Sequence, residues 1–159
     1  MKKVCKILCL VIVVCLLGLH PSSYAKDIDS SDVVEIFNQG LDYFEKGDYE
    51  NAIKDFNRAL EINPKFAEAY NNRGNAYALM GDFERAIADF NRALEINPKL
   101  AGAYFNKGLV YDRLGRFQEA VKAYIDFLSC VSARTPNQTP GMDNLIERAK
   151  QRIKELEGK

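Results

Sequence analysis

The chain has 159 residues, of which 22 are basic and 22 acidic, with one histidine, no tryptophan and 47% hydrophobic residues. Balanced, interspersed charge is no footprint for a polyanion, which excludes nucleic acid as an expected partner. One histidine and four cysteines leave little material for acid–base or metal chemistry.

Residues 1–25 read as an export signal. Lys2, Lys3 and Lys6 form a positive start, Ile7 to Leu19 is apolar throughout, and Ser23 and Ala25 supply small residues at a cleavage site. As a helix the apolar stretch is about 20 Å long, short of the roughly 30 Å hydrocarbon core. Cleavage after Ala25 is therefore expected, with a periplasmic or secreted product. The alternative is an uncleaved N-terminal membrane anchor. A lipoprotein anchor fits less well, because Val13-Val14 rather than a small residue precedes Cys15. Cleavage removes Cys5, Cys9, Cys15 and His20 and leaves 134 residues with 19 basic and 22 acidic side chains, net −3. The remaining Cys130 cannot form an internal disulfide and is expected to be a small buried apolar residue.

A loose leader over 26–32 follows, with Asp32 expected to cap the first helix. Then the chain repeats itself. Asp55 to Lys65 returns letter for letter as Asp89 to Lys99, 34 residues later. Three units result: 33–66, 67–100 and 101–134, the first two agreeing at 19 of 34 positions. Glycine recurs at position 8 (Gly40, Gly74, Gly108) and position 15 (Gly47, Gly81, Gly115), and alanine at position 20 (Ala52, Ala86, Ala120). Aromatics recur at position 11 (Tyr43, Tyr77, Tyr111) and position 24 (Phe56, Phe90, Tyr124).

Apolar residues at helical spacing over positions 1–14 and 16–30 predict two helices per unit. Gly-Asp at 47–48 and 81–82 ends the first helix and caps the second. Gly and Ala at positions 8 and 20 let the paired helices approach, and the aromatics fill the space between. Pro64 and Pro98 are expected in the first turn of the next unit's helix. After a loop at 135–141, Leu145, Ile146, Ala149, Ile153 and Leu156 predict a polar-faced capping helix over 142–157.

The pattern resembles the tetratricopeptide repeat, whose signature runs W-x2-L-G-x2-Y, A-x3-F, then P. The Trp place holds Ile36, Tyr70 and Tyr104, and the Leu place holds Gln39, Arg73 and Lys107. Unit three departs further, with Phe127 for a small residue and Ser132 for proline. The resemblance covers 102 of the 134 residues after the signal. It implies an all-α, right-handed α-solenoid of three helix-turn-helix repeats plus a capping helix.

The resemblance also implies that first helices line a concave groove through positions 2, 5, 6, 9, 12 and 13. Position 6 is asparagine throughout: Asn38, Asn72 and Asn106. An amide carries both donor and acceptor and can pair with a peptide backbone of any sequence. Apolar places in the groove are Phe37, Leu41 and Phe44 in unit one and Phe105 and Leu109 in unit three. Asn71 and Asn75 make unit two polar, and Arg113 adds charge at the far end. The carboxylate clamp of cochaperones in this family is absent, since its basic places hold Phe37, Gly102 and Asn106 and its first asparagine is Leu41; only Asn72 matches.

The expected function is that of a non-catalytic adaptor for an extended or helical protein or peptide ligand. Nothing in the sequence suggests a small-molecule substrate, a cofactor, a metal or a catalytic residue. The alternatives are a self-assembling structural unit, hence a homo-oligomer, and a membrane-anchored scaffold. The native protein is expected to begin at Lys26. Intact mass of the endogenous protein checks this, and a mass that retains residues 1–25 supports the anchor.

Overall fold

The computed structural model describes residues 30–132 and 140–157. Residues 1–25, read above as an export signal, leader residues 26–29 and residues 133–139 of the expected loop lie outside the described residues. The chain divides into Met1–Asp32 and Val33–Lys159, and the second unit carries the repeats.

Seven helices follow one another, with no strand among the described residues. They are α1 (Ser30–Glu45), α2 (Tyr49–Ile62), α3 (Ala67–Leu79), α4 (Phe83–Ile96), α5 (Ala101–Arg113), α6 (Phe117–Ser132) and α7 (Pro140–Leu156). The helices pair as α1–α2, α3–α4 and α5–α6, one pair per repeat, and α7 packs on α6. This is the α-solenoid that the repeat implies.

Glycine ends each first helix. Gly47, Gly81 and Gly115 have φ of 78°, 84° and 71°, the left-handed region in which a Cβ is strained. In two repeats an aspartate then starts the second helix. Asp48 accepts the Asn51 N–H at 3.2 Å, and Asp82 accepts that of Arg85 at 3.1 Å. These bonds favour the ionised carboxylate: the Asn51 side-chain amide and backbone N–H hold Asp48 below the usual range, and the Arg85 guanidinium and backbone N–H do the same to Asp82.

The inter-repeat turn differs from expectation. Asn63 accepts the Phe66 N–H on its carbonyl at 3.2 Å and the Lys65 N–H on its side chain at 3.0 Å. Asn97 does the same for Leu100 and Lys99 at 3.1 Å each. Pro64 and Pro98 thus occupy the second place of a β-turn, where their fixed φ is favourable. They stand three residues ahead of α3 and α5 rather than in the first turn of those helices. Two other boundaries shift. Asp32 lies inside α1, which starts at Ser30, and the last helix begins at Pro140 instead of 142.

The core is built on the glycine at position 8. A Cβ on Gly40, Gly74 or Gly108 would stand 2.7, 2.9 and 2.6 Å from the ring of Phe56, Phe90 and Tyr124 respectively. The ring therefore lies directly on the backbone of the partner helix. Ala52, Ala86 and Ala120 are fully buried in the same layer. Position 27 is a fully buried alanine in the first two repeats, Ala59 and Ala93, and Phe127 in the third. The larger side chain joins a cluster with Ala149 and Leu156 of α7, so it follows the change of neighbour from another repeat to a cap. Cys130 is half-buried at the edge of that cluster, where its thiol donates to the Lys99 carbonyl at 3.4 Å.

Gly74→Val is expected to lower stability by about 2–3 kcal/mol through overpacking against Phe90. Gly102→Ala, where a Cβ meets nothing within 4 Å, should instead raise stability by about 0.5 kcal/mol. Urea unfolding of the two variants reads the opposite signs.

Candidate ligand groove

The face formed by α1, α3 and α5 carries a cavity of about 190 Å³ between the second and third repeats. Phe44 of α1 enters it from the first repeat, and Asn75, Ala78 and Leu79 of α3 from the second. Asn106, Leu109, Val110 and Arg113 of α5 complete the wall, with Phe90 of α4 beneath. Val110 and Phe90 are buried, whereas Leu79 is 51% exposed and Leu109 36%. Five residues singled out from the sequence (Phe44, Asn75, Asn106, Leu109 and Arg113) meet here. Leu79 and Ala78 occupy positions 13 and 12, so the same rule of positions contains them although they were not singled out.

Two aromatics do not behave as expected. Phe37 stacks within its repeat, its ring 5.7 Å from Phe56 and 4.7 Å from Phe66. Phe105 is only 5% exposed and lies 5.7 Å from Tyr124 and 5.3 Å from Phe127, with an edge left in the lining of a second cavity beside α7. Position 5 is one helical turn before the glycine at position 8, so its ring meets the same position 24 aromatic and serves the core. Leu41 is half-buried and lies outside the cavity.

The asparagines are unequal. Asn38 is exposed on α1. Asn72 donates to the Glu68 carbonyl of its own helix at 3.0 Å. Asn106 donates to the Asn71 side chain at 3.3 Å, a bond from repeat three to repeat two. Asn71 thus acts as a brace for Asn106. The ladder of three equivalent amides is replaced by one oriented amide, Asn106, with Asn75 beside it in the cavity.

Charge ties the array together away from this face. Arg73 donates through Nε and Nη2 to both oxygens of the buried Asp89 at 2.7 and 2.6 Å, and through Nη1 to Asn57 of the first repeat at 2.5 Å. Burial works against the Arg73 charge, but the hydrogen bonds and charge of Asp89 outweigh it and raise its pKa. This explains the arginine at a place where the repeat signature has leucine. In the third repeat the aspartate is replaced by Ala123, and burial pushes Lys107 down.

A second cavity, of about 470 Å³, lies between α5 and α7 and shares Leu109 with the first. Arg152 of α7 closes on Asp112 of α5 with paired hydrogen bonds of 2.6 and 2.8 Å and also reaches Glu155 at 2.7 Å. Tyr124 lines this cavity, with its buried hydroxyl lacking a hydrogen-bond partner among the described residues. Burial, with the Asp112 charge adding to it, pushes the Tyr124 phenol up to about 12. Among the described residues no group of three or more His, Cys, Asp or Glu is placed to hold a metal ion.

Comparison with known proteins agrees with this architecture. Family profiles described as TPR repeat or tetratricopeptide repeat match residues 40–81, 67–100 and 90–122. The chain belongs to the tetratricopeptide-repeat family. Human serine/threonine-protein phosphatase 5 is 51% identical over 39 residues, 24% of this chain and 8% of the phosphatase. The chain thus corresponds to under a tenth of that enzyme's length. Among solved structures, the TPR2B domain of yeast Sti1, in its pHsp70 complex, is 28% identical with a TM-score of 0.68. That likeness covers 77% of this chain and 98% of the domain. The first TPR domain of Spaghetti (RPAP3), bound to the HSP90 peptide SRMEEVD, is 25% identical with a TM-score of 0.64, covering 82% and 99% respectively.

The raised Tyr124 pKa has a consequence in alkali. The folded chain keeps the phenol protonated up to about 12, whereas the unfolded chain ionises it near the ordinary tyrosine value of 10.0. The stabilisation is full below the unfolded value and is lost as pH rises through the folded one. Chemical denaturation between those two values is expected to show a fall in stability that Tyr124→Phe lacks.

Proposed function

We propose that the protein is a non-catalytic adaptor that holds a segment of another protein in the groove of α1, α3 and α5, after export through its N-terminal signal. The observation that carries this reading is the cavity of about 190 Å³ assembled from three successive repeats. Its apolar walls accept one side chain, and the amides at its rim reach the neighbouring backbone. Asn106 keeps its carbonyl oxygen and a second N–H for that purpose, because the bond to Asn71 uses only one of its donors.

The Sti1 and Spaghetti domains support the reading, since the one is a complex with pHsp70 and the other is bound to an HSP90 peptide. The cochaperone clamp places hold Phe37, Gly102 and Asn106 here, so selectivity rests on the cavity instead of a grip on a chain terminus. Asp112, at the end of the groove, is engaged in its pair to Arg152.

Replacing Asn75 with alanine and Leu109 with glutamate removes one amide and puts a charge in the cavity wall. This double variant is expected to capture the native envelope partner at least about tenfold less well than the parent. Its thermal melt should stay close to that of the parent, because Leu109 is partly exposed. Quantitative mass spectrometry of captured proteins reads the loss, and equal capture by both baits moves the interface off the groove.

A further inference from the structure

Leu109 separates two cavities, and the second one is walled by the capping helix. Of the three carboxylates around that second cavity, Asp112 and Glu155 share Arg152, and Glu147 pairs on the surface with Lys150 at 2.8 Å. Two guanidiniums have no ion-pair partner among the described residues. Arg113 stands in the wall of the first cavity and Arg148 in that of the second, 5.6 Å from the centre of the Phe105 ring. Tyr124 brings to the second cavity a side chain that is 1% exposed and a hydroxyl with no acceptor among the described residues. A buried donor left unpaired costs stability, and an acceptor brought by a ligand removes that cost.

Resting on the groove reading above, we propose that α7 is part of the ligand site as well as a cap, and that the ligand is an internal protein segment carrying an apolar side chain between two carboxylates. The apolar side chain enters the first cavity beside Leu79 and Leu109. One carboxylate meets Arg113, and the other crosses Leu109 to meet Arg148 and the Tyr124 hydroxyl. Two separated cations call for two separated anions, which acidic side chains on either side of the apolar residue supply. The arrangement differs from the family's carboxylate clamp, whose basic places here hold Phe37, Gly102 and Asn106.

The test uses two short fluorescent peptides, one with leucine between two glutamates and one with glutamines in their place. Anisotropy titrations against the full repeat-and-cap chain are expected to show the glutamate peptide binding about tenfold tighter. Arg148→Gln should weaken the glutamate peptide several-fold and leave the glutamine peptide unchanged. Tyr124→Phe should weaken the glutamate peptide several-fold without lowering the melting temperature of the free protein. Unchanged affinity in Tyr124→Phe would remove the hydroxyl from the site. Equal affinity for the two peptides, with both lost in Leu109→Glu, overturns the acidic-segment proposal and keeps the groove. Binding of neither peptide, or binding of both unaffected by Leu109→Glu, overturns the proposal together with the groove reading.

Discussion

The ring at position 24 lying on the bare backbone of the glycine at position 8 is the contact on which the rest of this protein depends. It recurs as Gly40–Phe56, Gly74–Phe90 and Gly108–Tyr124, each too close for an intervening Cβ. That approach brings the two helices of a repeat together and leaves position 5 within reach of the same ring. The groove inherits its character from there. Where position 5 is aromatic, as in Phe37 and Phe105, it is drawn into the core. Where it is Asn71, a polar group is left on the face and steadies Asn106. The open cavity lies between the repeats that carry Asn71 and Leu109, because there the core has not taken the groove residues for itself.

Much of this was legible in the sequence, and the reason is physical. A repeat read three times reveals which positions tolerate no side chain, and Gly and Ala at positions 8 and 20 give the helix pairing directly. Positive-φ glycines at 47, 81 and 115 are equally plain, since no other residue tolerates that turn as well. The prolines misled because favourable φ at a helix start and at the second place of a β-turn are the same φ. Only the bonds to Asn63 and Asn97 separate the two cases. The fate of Phe37 and Phe105 was hidden for a related reason. An aromatic on an inner face can meet a ligand or its own core, and the choice turns on contacts between residues about twenty apart.

Charge was the least legible layer. Arg73 looked like a departure from the repeat, yet it joins Asp89 and Asn57 and so ties the first repeat to the second. The Asp112–Arg152 pair spans 40 residues and has no counterpart within the repeats, so no comparison of units could reveal it. A partly exposed ion pair of this kind adds little net stability, but its paired hydrogen bonds penalise any other seating of the helices that carry it. Arg152 thereby fixes how α7 sits on the third repeat. The same seating sets Arg148 over Phe105 and brings the cap up to the end of the groove.

The central claim is that a partner segment lies between α3 and α5. Amide and methyl chemical-shift mapping of the isotope-labelled protein, titrated with the partner segment, tests it most directly. The account predicts that the largest perturbations fall on Asn75, Leu79, Asn106, Leu109 and Arg113, with Ile125 and Arg58 unmoved. Perturbations centred on Ile125 and Arg58, with the cavity residues unchanged, would contradict it.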